Sequence, residues 1–450
     1  MNKPSFLLLQ GPVGPFFREL ARMLRQFGRV RRVAFNSGDA LDARGDCEFF
    51  GLTLEHWPRR LANLLVEHAV TDVVLFGDCR PIHRETIAWL RERAPQVRVH
   101  VFEEGYLRPD WVTLERNGVN GFSPLNELVE AIHQVPEARR RPPVSLPVGT
   151  TALRLGAYAA RHYALVGLGR GLLGHAITHR ERCWHEGLRW TLRLASTPLR
   201  RHAASLLQRQ LMARAGDMYL ALLQIDSDAQ VRMHSRFADT CAFIEEILPS
   251  FARHAPAGAF LVIKNHPLDA SGNNYRQLIN RLAHQHGVRD RVFFLNGGSL
   301  PLLLSRTRAA ITINSTAGIS ALHRLVPLKA LGQALYNAPG LASQQPLPEF
   351  WCAPQPPLLK TYRAFRHVVA QRSQINGSFY RAEGRAMIVD ALRQRLRSGM
   401  PLSFAPDCWL TPAAPPAREP AVLPAEALPA PVKPAFVASQ QLALHHTEVH

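Results

Sequence analysis

Short apolar runs alternate with segments of helical spacing along two stretches of the chain. In residues 1–145, the runs "SFLLLQG", "VRRVAFN", "TDVVLFGD" and "VRVHVFEEG" have the composition of buried strands. The same alternation returns from about residue 216, through "DMYLALLQ", "AFLVIKNH", "RVFFLN" and "AAITINS". Strands separated by helices of about 10–15 residues form βαβ units on a parallel sheet. We therefore predict an α/β protein with two Rossmann-like domains, whose ligand cleft lies at the carboxyl ends of the strands.

Two other segments do not follow this alternation. Residues 151–216 contain eleven arginines, two glutamates and no aspartate, and their apolar residues alternate with Arg and His at roughly helical spacing. This pattern predicts a basic amphipathic helical insertion that contacts anionic lipid, although a helical linker with a solvated arginine face would look similar. The last fifty residues contain ten of the 34 prolines, which predicts a disordered tail. The predicted organisation is thus 1–145, 146–216, 217–400 and 401–450.

The composition excludes several classes of protein. The hydrophobic and charged fractions, 46% and 20%, are those of a globular protein, and no apolar run is long enough to predict a transmembrane helix. The N-terminal "MNKPSFLLLQGPVG" predicts a buried first strand rather than a signal peptide. The six cysteines are scattered without a CxxC pair, which suits a reducing cytoplasm and argues against a zinc site. The net charge of +19 indicates an anionic partner: nucleic acid, phospholipid headgroups or a charged substrate.

Polar residues stand where several predicted strands end. "VFEEG" places Glu103 and Glu104 at a strand's carboxyl end. Adjacent carboxylates repel, and burial raises the pKa of at least one, which prepares a general acid or base; a solvated loop is the alternative. "LLQIDSDAQ" places Asp226 and Asp228 after another strand. These carboxylates could bind a divalent metal on a sugar-nucleotide diphosphate, act as nucleophile or base, or cap a helix.

Two further motifs in the second half are suited to an anion. In "VIKNHP", Lys264 and His266 lie two apart and share one face of a strand, although a histidine at a strand end is often only a surface or capping residue. In "TINSTAG", Asn314, Ser315 and Thr316 precede a predicted helix. Hydroxyls and free amides at a helix N-terminus bind phosphate, and simple capping by Ser315 is the alternative. The two motifs together predict a site for a departing phosphate.

In combination these motifs resemble the capsule polysaccharide synthesis family of bacterial retaining β-Kdo transferases. More distantly they resemble bacterial CMP-sialic acid transferases, which carry (D/E)(D/E)G, HP and S(S/T) motifs. The matching residues here are Glu103–Gly105, His266–Pro267 and Ser315–Thr316, and the similarity spans about residues 5–345. The resemblance implies a GT-B arrangement of the two domains, CMP-Kdo as donor, and neither metal nor cofactor.

The resemblance also implies roles for the site residues. Asp228, with Asp226 less favoured, is expected to be the nucleophile of a retaining reaction, and Glu104 or Glu103 the base. His266, Ser315 and Thr316, with Asn314 beside them, are expected to bind CMP-Kdo. Lys264 is a candidate to neutralise the carboxylate of the sugar.

The chain carries a single set of these motifs, as do the short members of the family that attach the first Kdo of the poly-Kdo linker. The expected acceptor is then a (lyso)phosphatidylglycerol lipid. The expected location is cytoplasmic and peripheral, on the inner face of the inner membrane. Residues 151–216 are expected to contact the anionic lipid surface. Other capsule assembly proteins are further candidate partners. The alternatives are a metal-dependent UDP-sugar transferase and a nonenzymatic membrane adaptor of capsule assembly or export. Nucleic-acid binding explains the charge but none of the motifs, so we expect no nucleic-acid partner.

Overall fold

In a computed structural model, the chain is described over residues 3–130, 132, 144–149, 152–173, 177–178, 197–225, 229–267, 269 and 273–403. The twelve strands of this part are β1 Ser5–Leu8, β2 Arg29–Ala34, β3 Glu48–Phe49, β4 Asp72–Phe76, β5 Arg98–Glu104, β6 Trp111–Arg116, β7 Met218–Leu222, β8 Phe260–Lys264, β9 Val292–Leu295, β10 Thr307–Thr312, β11 Leu328–Ala330 and β12 Gln374–Asn376.

The α-helices of the same part are α1 Phe16–Leu24, α2 Ser37–Ala43, α3 Trp57–Glu67, α4 Pro81–Arg93, α5 Leu125–Glu130, α6 Ala152–Leu173, α7 Thr197–Ala213, α8 Ala229–Met233, α9 Thr240–His254, α10 Tyr275–Gln285, α11 Leu300–Leu304, α12 Ala317–His323, α13 Leu347–Cys352, α14 Leu359–Arg372 and α15 Ala382–Arg397. Two short 3₁₀ helices cover Leu54–His56 and Asn120–Phe122. The tail predicted over 401–450 lies outside the described residues beyond position 403.

The first lobe is built on a seven-stranded sheet with the order β12-β6-β5-β4-β1-β2-β3. Strands β1 to β5 are parallel, whereas β6 runs antiparallel to β5. Residues along β1 alternate between two hydrophobic clusters, one on each face of the sheet, with Phe6 and Leu8 in one and Leu7 in the other. A strand covered on both faces is apolar throughout, which is why its sequence is a continuous apolar run.

The second lobe is built on a five-stranded, fully parallel sheet with the order β11-β10-β7-β8-β9. Its core on one face is formed by α9, α10 and α13 and contains the fully buried Phe243, Phe251 and Trp351. Strand β7 lies at the centre, between β8 and β10. The carboxyl ends of these three strands therefore lie side by side. The predicted fold class, an α/β protein with two Rossmann-like domains, is confirmed.

The last described elements return to the first lobe. Strand β12 pairs antiparallel with β6, with Gln374 opposite Thr113, and α15 packs against α1. Phe379 lies 4.9 Å from Phe16, between ring centroids, in the core of the first lobe. The sequence-based boundary placed residues 217–400 in one C-terminal domain. The pairing of β12 shows instead that the chain crosses back before residue 374.

The two described helices of the arginine-rich insertion attach to different lobes. Helix α6 packs against α2, where Arg161 and His162 both contact Asp42. Helix α7 is tied to the second lobe through Gln208, whose amide donates to and accepts from the backbone of Ser299 at 3.0 and 2.9 Å. Among the described helices, none is both long enough and apolar enough to cross a membrane.

Candidate active site

The Glu-Glu-Gly motif forms the end of β5 and the start of a tight turn into β6. The amide of Gly105 donates to the carbonyl of Trp111 at 3.1 Å, and a Cβ at position 105 would lie 2.2 Å from that oxygen. Only glycine fits such a close approach between backbones. The turn fixes the two carboxylates before it at the sheet's carboxyl edge, as predicted from the sequence.

The two glutamates differ in their surroundings. The amide of Glu104 donates to Oε1 of Glu103 at 2.9 Å. Burial is the main cause that raises the pKa of Glu103 to about 8; the nearby Glu104 and Asp78 carboxyls add to it, while the Glu104 amide and Arg80 oppose it. The Oε1 of Glu104 accepts a hydrogen bond of 2.7 Å from the hydroxyl of Tyr380, a residue of the returning C-terminal segment. Glu103 is thus the carboxyl whose pKa is near neutral, and Glu104 is the one held by a fixed donor.

Lys264 ends β8 with its side chain buried. It is 6% exposed, and its ammonium contacts the carbonyl of Asn265 at 3.4 Å. Burial lowers the pKa of Lys264 to about 8. Asn265 is buried as well, whereas His266 is half-buried, and the amide of His266 donates to the side chain of Asn265 at 2.8 Å. A cation in this position is stabilised when an anion binds, because the anion restores the favourable environment that burial removed.

The Asn-Ser-Thr motif follows β10, two strands away from β8. Asn314 exchanges two hydrogen bonds with Gln224 after β7, at 2.8 and 2.9 Å. The hydroxyl of Ser315 accepts from the amide of Ala317 at 3.2 Å. Ser315 therefore makes the capping bond that the sequence offered as the alternative to phosphate binding. Thr316, at the start of α12, makes no side-chain capping bond. The motif is therefore fixed by its neighbours, and the half-buried Thr316 hydroxyl is not used as a cap.

Asp226 and Asp228 lie outside the described residues. The chain on either side is described: Gln224, bonded to Asn314, precedes them, and α8 follows. In sequence they follow β7, the strand between those that carry the other two motifs.

His234, just after α8, connects the two lobes. Its carbonyl accepts from the amide of Gln333 at 2.7 Å and lies 3.5 Å from the amide nitrogen of Asn314. Its ring lies across the lobe boundary, with Nε2 3.5 Å from Sγ of Cys79 and the ring centroid 4.3 Å from that of Phe122. The loops at the carboxyl ends of the two sheets therefore meet at this residue, with the carboxylates on one side and the Asn-Ser-Thr motif on the other.

Sequence reasoning missed the polar residues that follow β4. Asp78 is buried and accepts from the amide of Val119 at 2.8 Å, and Cys79 lies 3.2 Å from its Oδ1. Arg80 comes next, beside Glu103. The run "FGDCR" ends a predicted strand just as the other motifs do, and this position was the available signal. In the part of the chain that the structure describes, Asp78, Cys79 and His234 are the group whose side chains could bind a metal ion, with ligand atoms within 4.8 Å of one another.

Comparison with known proteins identifies a family and several relatives of this chain. Residues 71–380 match the family described as "Capsule polysaccharide biosynthesis protein". The chain is 35% identical to the capsule polysaccharide export protein KpsS of Escherichia coli, over 84% of this chain and 98% of that protein. It is 34% identical to the capsule polysaccharide modification protein LipB of Neisseria meningitidis, serogroup A, over 84% of this chain and 91% of that one. Among solved structures, Thermosulfurimonas dismutans KpsC, a beta Kdo 2,7 transferase, is similar at a TM-score of 0.44 and 14% identity, covering 86% of this chain and 99% of its own.

Proposed function

Because this chain belongs to the capsule polysaccharide biosynthesis family, we propose that it is a glycosyltransferase that moves Kdo from CMP-Kdo to a (lyso)phosphatidylglycerol acceptor. In this proposal it initiates the poly-Kdo linker of a capsular polysaccharide. The observation that carries the proposal is the contrast between the strand ends of the two lobes, whose loops meet at His234: carboxyls in the first lobe, and an amine, an imidazole and hydroxyls in the second. A donor with a phosphate and a carboxylate needs the second set, and an acceptor hydroxyl needs the first.

Departure of CMP is assigned to the second lobe. The bond between the anomeric carbon and the phosphate oxygen breaks, and its electron pair stays on the phosphate. His266 and the hydroxyls of Ser315 and Thr316 stabilise the charge that grows there, with Asn314 beside them. Lys264 neutralises the Kdo carboxylate. What supports this assignment is that β8 and β10 flank β7, so that their ends converge on the space after the central strand.

Retention of configuration is assigned to two successive displacements. The carboxylate of Asp228 attacks the anomeric carbon as CMP leaves and forms a glycosyl-enzyme. The lipid hydroxyl then attacks the same carbon, its proton passes to a glutamate, and the Asp228 carboxylate is released. Glu103 suits the base because its pKa of about 8 lies close to a neutral working pH, where proton transfer is efficient. Glu104, fixed by Tyr380, has the role of orienting the acceptor.

Contact with the membrane is assigned to the arginine-rich insertion. Each of its two described helices has an exposed leucine and an exposed arginine close together in sequence, Leu153 with Arg154 and Leu199 with Arg201. Leu153 is 92% exposed and Leu199 78%. Large apolar side chains beside cations are suited to the headgroup region of an anionic leaflet. We infer a peripheral location on the inner face of the inner membrane, where the lipid acceptor resides.

The test is incubation of the purified protein with CMP-Kdo and a fluorescent phosphatidylglycerol, followed by mass analysis of the lipid. The expected product carries one added Kdo. CMP release from CMP-Kdo, measured in parallel, separates this proposal from a nonenzymatic adaptor of capsule assembly, which would release none. Release of CMP without any glycolipid would retain the donor assignment and refute the acceptor.

A further inference from the structure

Arg80 is a cation fixed at the carboxyl edge of the first sheet. It follows β4 and precedes α4, and its NH1 donates to the carbonyl of Gly11 at 3.0 Å. Its guanidinium carbon lies 4.8 Å from the centroid of the Phe76 ring. These two contacts hold the side chain in place without neutralising its charge.

No carboxylate of the described residues forms an ion pair with Arg80. The bond to Gly11 is the single hydrogen bond found for its guanidinium within the described part, so most of its five N–H donors remain available. The side chain is half-buried, which removes part of its water, and the carboxyls of Glu103 and Asp39 attract it without forming an ion pair. A cation in this situation is suited to bind an anion, because desolvating an ion is costly unless a partner of opposite charge compensates.

Gly77 lies against the side chains of both Arg80 and Glu103. A Cβ built at Gly77 would lie 3.3 Å from Oε2 of Glu103 and 3.7 Å from Nε of Arg80. The two groups therefore lie beside the same glycine, and no more than about 7 Å separates Oε2 of Glu103 from Nε of Arg80. Gly77 also has a φ of +72°, a conformation that glycine adopts without strain, so a side chain is disfavoured here on two grounds.

We propose that Arg80 forms a binding site for the phosphodiester of the lipid acceptor, next to the base that activates the acceptor hydroxyl. This proposal rests on the proposed function and names the acceptor subsite within it. In a glycerol phosphate headgroup, the free hydroxyl and the phosphate are joined by a three-carbon chain. A base and a guanidinium within about 7 Å of each other match that spacing, and guanidinium binds phosphate oxygens with two parallel hydrogen bonds. The anion is therefore recognised by the lobe that carries Glu103, separately from the phosphate of the donor.

The first experiment compares two acceptors with identical tails, phosphatidylglycerol and a phosphate-free dialkylglycerol. For Arg80→Gln, kcat/KM with phosphatidylglycerol should fall about 100-fold. With the dialkylglycerol, the variant and the wild type should be equal, as should CMP release from CMP-Kdo without acceptor. Arg80→Lys, which keeps the charge but not the paired donors, should lie between. Arg84→Gln, an exposed arginine one turn along α4, is the matched control and should behave as wild type. An equal loss with both acceptors, or reduced CMP release, would place Arg80 at the donor and overturn the proposal.

The second experiment measures binding without transfer. Calorimetric titration of the wild type with glycerol 3-phosphate should show binding that Arg80→Gln weakens at least about tenfold. Inorganic phosphate should bind more weakly than glycerol phosphate; equal affinity would mean a site for free phosphate and would refute the headgroup assignment. This measurement stays informative if the wild type transfers Kdo to neither acceptor. In that case the proposed function fails, while the phosphate site is judged by binding alone.

Discussion

The two lobes share a plan and differ in chemistry. Each has a parallel sheet whose strands end in polar motifs, yet the first presents Glu103 and Glu104 at that edge and the second presents Lys264, His266 and a pair of hydroxyl residues. Burial acts on both sets in opposite directions: it raises the pKa of Glu103 and lowers that of Lys264, each to about 8. Burial disfavours charge of either sign. The comparison teaches that burial at the same edge of the same fold brings the pKa of an acid and that of a base close together.

The proposed division of catalytic roles between the lobes is tested most strongly at Asp228, the proposed nucleophile, which follows β7 in sequence. Asp228→Ala should reduce transfer at least about 1,000-fold, because the first displacement then has no nucleophile. Binding of CMP, which depends on other residues of the second lobe, should stay within about twofold of wild type by calorimetry. Asp226→Ala is the matched control, and its transfer should remain well above that of Asp228→Ala. Comparable transfer by Asp228→Ala and wild type would remove this assignment.

The next largest effect is expected at the carboxyls of the first lobe. Glu103→Gln should lower transfer about 100-fold or more, since a general base contributes that much. The base must be deprotonated, so the wild-type rate of transfer should rise as the pH increases through about 8, and Glu103→Gln should lose that rise. The measurement is initial rate between pH 6 and 9.5 at saturating CMP-Kdo.

Glu115 supplies the control for this experiment. It is buried on β6 in the same hairpin, and burial raises its pKa to about 8 as well, but it hydrogen-bonds with Tyr106 at 3.4 Å and takes no part in the proposed chemistry. Glu115→Gln should keep the wild-type pH profile of the rate. A rise through pH 8 that persists in Glu103→Gln and disappears in Glu104→Gln would transfer the base to Glu104.

A smaller effect is expected at Lys264. Lys264→Met should weaken CMP-Kdo binding about 10- to 100-fold, the effect of one hydrogen bond to a charged group, and leave CMP binding unchanged. In the unliganded wild type, the ammonium loses its charge as the pH rises through about 8, so CMP-Kdo affinity should decline between pH 8 and 9.5. The variant should show no such decline. Lys360→Met, an exposed lysine of α14, is the control. Equal loss of CMP and CMP-Kdo affinity would assign Lys264 to the phosphate instead of the sugar.

The features that local sequence predicts are those set by neighbouring residues. The apolar runs of the central strands gave their positions, because strands covered on both faces must be apolar. The Glu-Glu-Gly turn was visible because glycine is needed where Gly105 meets Trp111. In contrast, β12 has three residues and pairs with a strand about 260 positions earlier in the chain. Nothing in "QIN" distinguishes it from a loop, and only the completed first sheet provides its partner.

The same limit applies to the site. Lys264 and the Asn-Ser-Thr motif could be placed at strand ends from the sequence, whereas the approach of His234 to Cys79 could not. Those two residues are 155 positions apart, and their contact depends on how the lobes meet. Tyr380, which fixes Glu104, arrives through the same unpredicted return of the chain. Sequence thus predicts which strand ends carry polar motifs, and the tertiary structure decides which of them come together.

The smallest expected effect concerns metal removal, and it separates the proposed mechanism from its metal-dependent rival. Transfer by protein dialysed against EDTA should equal that of untreated protein. In the proposed mechanism, the charge of the departing phosphate is compensated by His266 and hydroxyls and that of the sugar by Lys264, so no divalent ion is required. This prediction could fail, because the structure contains a group that could bind a metal ion. Asp78, Cys79 and His234 offer oxygen, sulfur and nitrogen ligands between the lobes. Activity lost in EDTA and restored by manganese would favour a metal-dependent UDP-sugar transferase. If zinc alone restored it, and Cys79→Ser abolished that recovery, the ion would belong to this group and stabilise the lobe boundary where the two chemistries meet.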